Sequence, residues 1–246
     1  MIHLPPLPNY QGSPGIEAII KSALNDLKIL EQHGIDGALI ENEYDRPHQV
    51  LASASTIEAM KQVSKALVEA STSCIIGCEI LLNDPKASLD VAKFAGAKFI
   101  RTDYFVDRMS RPEYGIFDID PDGLIDYRKS IGGDDILIMA DIQVKYATML
   151  DERTIAQSAV LATLHHADAI VVSGKATGSA PIINDLKKAK AGAGVPVIIG
   201  SGFDAQNGAE LLSHCDGAIV GTAVMQDRIV NDDKVRQLIT ALGKTS

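Results

Sequence analysis

The chain has 246 residues, 46% of them hydrophobic, with few aromatics and no Trp, so a core would be filled by Ile, Leu, Val and Ala. A formal net charge of −9 argues against nucleic acid, which selects basic surfaces. No run reaches the ~18–20 apolar residues of a membrane span, and MIHLPPLP lacks the basic flank and long apolar stretch of a signal peptide. The expectation is a cytoplasmic or stromal protein with no membrane insertion. Three cysteines, Cys74, Cys78 and Cys215, fit a reducing compartment.

In chain order, Ile2-His3-Leu4 is a short strand stopped by Pro5, Pro6 and Pro8. Residues 16–33 carry Ile19, Ile20, Ala23, Leu24, Leu27 and Leu30 at helical spacing, with Gly34 as the stop. Strands are expected at 38–41, 74–80, 99–102, 136–142, 169–173, 195–199 and 216–220. Helices are expected at 53–71, 85–95, 121–130, 154–165, 183–190, 205–213 and 232–242, and 103–118 reads as a long loop. Cys74 and Cys78 lie four apart on one strand, as buried small residues facing the helices. His33, His165 and His166 read as solvated groups at helix ends. Nothing resembling a linker divides the chain, and its length is close to the ~250 residues of one barrel. Eight strands alternating with eight helices predict an α/β fold, a single-domain (β/α)8 TIM barrel over 1–246. The rival, an open doubly wound sheet, lacks its GxGxxG turn after the first strand.

In such a fold chemistry sits at the carboxyl ends of the strands. Those ends carry His3, Glu41-Asn42, Glu79, Arg101 with Asp103, Asp141 with Lys145 beyond it, and Ser173-Gly174. Each buried charge must be paired, wet or functional. Glu41 and Asp141 are candidate general bases, the plain alternative being ion pairs with Arg101 or Lys145. His3 is a candidate acid or base, or a hydrogen-bonded lining residue. Arg101 suits a carboxylate or phosphate clamp, and Lys145 an anion contact from a loop. His48 lies within reach of the same mouth. No HxH, HExxH or CxxC spacing marks a metal site, though a carboxylate-rich mouth admits Mg2+ beside a phosphate.

The last third holds two strands, each ended by a glycine-bearing turn: Gly200-Ser201-Gly202 and Gly221-Thr222. Tight βα turns need glycine anyway. Two in tandem after the last two strands match a phosphate cradle, where backbone N–H groups approach the oxygens.

MIHLPPLP followed by GSP, then GIDGALIEN, GAKFIR, ADIQVKYA, ADAIVVSGKATG, GSG and DGAIVGT, in this order, resemble the BtpA family over nearly the whole chain. The resemblance implies a phosphate-binding (β/α)8 barrel and an enzymatic ancestral role. Its namesake is associated with photosystem I accumulation, and other members accompany sugar-uptake and sugar-metabolism genes. It also implies that His3, Glu41, Asn42, Arg101, Asp141, Lys145, Ser173, Gly174, Gly200, Ser201, Gly202, Gly221 and Thr222 line the pocket. Glu79 and Asp103 stand where the family tends to have Asn, and VKYA stands for VKHA. The mouth is therefore more acidic and lacks one imidazole.

The leading expectation is an acid–base isomerase, epimerase or aldol-type lyase for a phosphorylated sugar or nucleoside-like compound, using Asp141 with Glu41 or His3. Phosphoribosylanthranilate isomerase shares barrel and phosphate site, but resembles a Cys/Asp pair where this first strand has His3. A second reading is a non-catalytic assembly factor for photosystem I or another membrane complex. An acidic barrel expected to expose no apolar segments does not favour it. Nucleotide hydrolysis ranks last, since no GxxxxGK[ST] loop exists. Substrate identity and homo-oligomerisation stay open.

Overall fold

The computed structural model describes residues 1–174, 176 and 178–243. In chain order the elements are β1 Ile2–His3, α1 Ile16–Gln32, β2 Gly37–Glu41, α2 Ala54–Ala70, β3 Ile75–Glu79, α3 Pro85–Ala95 and β4 Phe99–Thr102. Next come β5 Met109–Arg111, β6 Gly115–Ile116, α4 Pro121–Ser130, β7 Leu137–Ile142, β8 Thr148–Met149, α5 Ile155–Leu164, β9 Ala169–Val172 and α6 Ile183–Gly192. The chain continues through β10 Val197–Ile199, α7 Gly208–Leu212, β11 Gly217–Ala218, β12 Met225–Gln226, β13 Ile229–Val230 and α8 Asp232–Ala241. Eight parallel strands, each followed by a helix, give the (β/α)8 pattern expected from the sequence. No described helix is long and apolar enough to cross a membrane.

The chain divides into two compact units: Met1–Arg101 with Arg128–Ile136 and the segment from Val224 on, and Thr102–Tyr127 with Leu137–Ala223. In the first unit β1, β2, β3 and β4 lie side by side in chain order. Ile2 pairs with Ile40, Leu39 with Gly77, and Gly77 with Phe99. The ring of Phe99 lies across Gly77, whose added Cβ would stand 2.3 Å from it. Glycine is therefore required there by close approach, and the ring fills the space a side chain would take. Cys78 points the other way and donates to Ser88 O of α3, as expected for a helix-facing cysteine. Burial pushes its thiol well above the ordinary range. Capping follows the sequence signals: Ser53 accepts from Thr56 N, and Asp84 with Pro85 opens α3, which Gly96 ends in the left-handed region.

In the second unit β7, β9, β10 and β11 are neighbours in chain order. The AIVV run of β9 is buried throughout, as a strand covered on both faces must be. Two carboxylates cap strand starts: Asp168 accepts from Ile138 N at 2.8 Å, and Asp216 from Val197 N at 2.8 Å. Thr154 and Gln157 form a capping box on α5.

Three expectations need correcting. The stretch 103–118 is not a plain loop: β5 pairs antiparallel with β6 and β8, because Met109 and Phe117 bury themselves there. The helix expected over 205–213 is only Gly208–Leu212, since Asp204 accepts from both Gln206 N and Asn207 N and holds a turn. The surface does expose apolar side chains, with Leu51 and Leu164 each 67% exposed. Two of the helix-end histidines hydrogen-bond to carboxylates, His33 to Asp232 at 2.9 Å and His165 to Asp122 at 2.6 Å.

Gly77→Val drives a branched side chain into the Phe99 ring. It should cost about 1–3 kcal/mol, read by urea denaturation, with partial recovery in the Phe99→Leu background. Asp26 is buried on α1 and accepts from Val230 N at 3.2 Å. Burial raises its pKa from 3.8 to about 6. The unfolded chain ionises this group first, so its contribution is full below pH ~4 and is lost as pH rises toward 6. Asp26→Asn keeps an acceptor without the charge. Its melting profile should match the native one near pH 4 and gain about 1–3 kcal/mol above pH 7.

Candidate active site

The carboxyl ends of β1 to β4 place four charged or titratable groups in one row of the first unit. Register sets His3 opposite Glu41 and Glu41 opposite Glu79. Cys78 pairs with Ile100, so Glu79 and Arg101 stand in the next position. Period-two alternation turns all four side chains to the face that carries Leu39, Gly77 and Phe99 one layer below. His3 Nε2 lies 3.4 Å from Glu41 Oε2. Arg101 Nη1 lies 4.0 Å from Glu41 Oε1 and 3.7 Å from Glu79 Oε2. Their side chains are 11%, 8%, 2% and 6% exposed for His3, Glu41, Glu79 and Arg101. Two carboxylates thus share one guanidinium, and one of them faces an imidazole. Such an arrangement offsets the desolvation of each ion and brings His3 and Glu41 to ion-pair distance.

The loop after β2 braces this row. Asn42 is almost fully buried: its carbonyl accepts from Leu81 N at 2.8 Å, and its amide donates to Asp45 at 3.0 Å. Asp45 in turn accepts from Leu7 N at 2.8 Å. Tyr44 meets the His3 ring edge-on at 6.1 Å, and Arg228 stacks over Tyr44 at 4.6 Å. His48 is buried in the same loop.

In the second unit Asp141 ends β7 buried, and Ser173 Oγ donates to its Oδ1 at 3.3 Å. Asp103 is half-buried in the segment after β4, and Lys145 half-buried in the turn between β7 and β8. Ser201 is held by two bonds, accepting from Gly174 N and donating to Ser179 O, each at 3.0 Å. Gly202 has φ +69, and a Cβ there would meet Ala180 N at 2.1 Å. These glycines and serines therefore lock the turns after β9 and β10 together. Gly200 N donates to Val172 O. The N–H groups of Gly202, Gly221 and Thr222 have no acceptor among the described residues. That leaves three N–H groups on the turns after two neighbouring strands, β10 and β11, and backbone N–H groups of this kind can take an anion where they converge.

Sequence reasoning missed Asp107. It is buried, accepts from Gln143 N, Arg153 Nη1 and Ser158 Oγ, each at 2.8 Å, and ties the segment after β4 to the turn after β7. Its only signal was a lone acid among Tyr104-Phe105-Val106, an apolar run inside a supposed loop. Among the described residues no group of three or more His, Cys, Asp or Glu is placed to hold a metal.

The BtpA family model matches residues 1–244. A protein of Archaeoglobus fulgidus is 32% identical over 241 residues, spanning 98% of this chain and 96% of its own. The photosystem I biogenesis protein BtpA of Synechocystis is 32% identical over 237 residues, 94% of this chain and 81% of its own. Among solved structures, thiamine phosphate pyrophosphorylase from Pyrococcus furiosus aligns with a TM-score of 0.62 at 15% identity, covering 91% of each chain. The (S)-3-O-geranylgeranylglyceryl phosphate synthase of Thermoplasma acidophilum, in complex with its substrate sn-glycerol-1-phosphate, aligns with a TM-score of 0.58 at 15% identity, covering 89% of this chain and 86% of its own. At these identities the structures speak for the fold, the (β/α)8 class expected from the sequence. The match to the family model over nearly every residue, with relatives at one-third identity, assigns the chain to the BtpA family.

Proposed function

We propose that this protein is an acid–base enzyme for a small phosphorylated molecule, catalysing isomerisation, epimerisation or aldol-type lysis of a sugar phosphate or nucleoside-like compound. The observation that carries this reading is the buried row His3–Glu41–Glu79–Arg101 at four successive strand ends. Burying two carboxylates, a guanidinium and an imidazole together is costly, and an apolar layer there would be as stable or more so. In this fold, polar groups at the carboxyl ends of strands are where chemistry is done. Glu41, with His3, moves the proton, and Arg101 stabilises negative charge that develops on the substrate. Asp141 is the second candidate base, oriented by Ser173. Within the second unit, the donors on the Gly200–Gly202 and Gly221–Thr222 turns suit a phosphate group. The solved neighbours whose names include phosphate compounds support this reading at the level of fold alone. The Synechocystis relative's name supports a second reading, a non-catalytic assembly factor.

A thermal-shift panel of sugar phosphates, phosphoribosylanthranilate and inorganic phosphate, each with and without Mg2+, separates the two. Stabilisation by at least one compound is expected, and silence across the panel favours the assembly factor. Gly202 is unsuitable for substitution, because any Cβ strikes the Ala180 backbone. Thr222 is exposed, and Thr222→Glu should weaken the phosphate-dependent shift without lowering the melting point of the free protein.

Proton chemistry is read by NMR in D2O as loss of a carbon-bound proton from a bound compound. Glu41→Gln should slow that exchange about 10²–10⁴-fold while leaving the thermal shift intact. Full exchange in Glu41→Gln together with loss in Asp141→Asn moves the base to Asp141; full exchange in both ends the acid–base assignment.

A further inference from the structure

The inserted strands of the second unit carry an arginine that neither the buried row nor the glycine turns use. Arg111 ends β5, and its backbone is fixed by antiparallel pairing with β6 and β8. Its guanidinium lies over two rings, 5.4 Å from the centroid of Tyr114 and 5.9 Å from that of Tyr146. The side chain is 20% exposed, yet its Nε is buried with no acceptor among the described residues. Glu113, on the same hairpin, stands 4.0 Å from that nitrogen and is 65% exposed. The separation is beyond hydrogen-bond reach, and so exposed a carboxylate contributes little.

A third tyrosine completes the setting. Tyr104 is buried and stacks on Phe117 with ring centroids 3.8 Å apart. Burial, then Asp103, pushes its hydroxyl up to about 12, and the nearby Arg111 charge acts the other way. The ring of Tyr146, four residues past the end of β7, brings Arg111 to the carboxyl end of that strand. The backbone on that side is unusual as well: Gln143 and Tyr146 have φ of 49° and 62°, a region that side chains enter at a cost.

The pairing of three short strands uses backbone groups and needs no guanidinium. The rings hold the guanidinium, its Nε has no acceptor among the described residues, and a guanidinium suits the two-point contact that carboxylates and phosphates make. We propose that Arg111, walled by Tyr114 and Tyr146, is an oxyanion-binding subsite for a carboxylate or phosphate group of a ligand. The proposal rests on the second unit alone and does not require the acid–base assignment.

The test titrates the full chain with inorganic phosphate and, separately, with malonate, by calorimetry and by tyrosine fluorescence, which no Trp obscures. Thr222→Glu serves as the background, so that the glycine turns contribute less. Saturable binding of at least one anion is expected there, and which anion binds identifies the phosphoryl or carboxylate source. Adding Arg111→Gln should weaken it at least tenfold, and Arg111→Lys, a point charge without the planar fork, by less. Tyr146 is 52% exposed, so Tyr146→Ala leaves the fold intact and should weaken binding threefold or more. No saturable binding of either anion in Thr222→Glu, or equal affinity with and without Arg111→Gln, overturns the proposal. If Arg111→Gln does not fold, unchanged affinity in Tyr146→Ala overturns it. Failure of the phosphate turns is read separately, as a Thr222→Glu variant with native phosphate affinity.

Discussion

One guanidinium between two buried carboxylates sets the terms for the first unit. Arg101 reaches Glu79 from the neighbouring strand and Glu41 from two strands away, at ion-pair rather than hydrogen-bond distances. With either carboxylate removed, the remaining charges lose part of their compensation, and an uncompensated buried charge costs about 3–5 kcal/mol. The supports around the row follow from this constraint. Register must hold to the residue, since a one-position slip would send every one of these side chains into the helical layer. Phe99 over Gly77 fixes that register sterically, and Asn42 fixes the loop that follows Glu41.

Most of the architecture was legible in the sequence, for identifiable reasons. Pro85 after Asp84, Gly96 after an apolar-periodic run, and the β-branched AIVV and VPVII segments are local signals, and local signals place elements well. The four members of the buried row were legible because charge at the end of an apolar strand is conspicuous. Their grouping was not. That Arg101 would sit between Glu41 and Glu79 depends on strand neighbours and register, which no spacing along the chain encodes. The inserted strands β5, β6 and β8 were missed because each is two or three residues long and pairs with a distant segment. The helix near 205 was overextended because Asp204 competes for the same N–H groups through its side chain.

A repeated device was also hidden. Asp168 and Asp216 each precede a strand and accept from an N–H near the start of the neighbouring strand. The same side chain thereby closes one βα unit and orders the next. In HADAIVV and HCDGAIV the acid reads as an ordinary turn residue, and only pairing reveals its use. Glu79 is informative in the same way: it gives Arg101 a second carboxylate.

Asp107 bonds to Gln143, Arg153 and Ser158 at once. The segments on either side of that carboxylate are therefore not independent modules. An insertion in one alters the lever by which the other is held. Across the lineage these two stretches should drift in length together, and a chimera that exchanges one without its counterpart should melt below both parents.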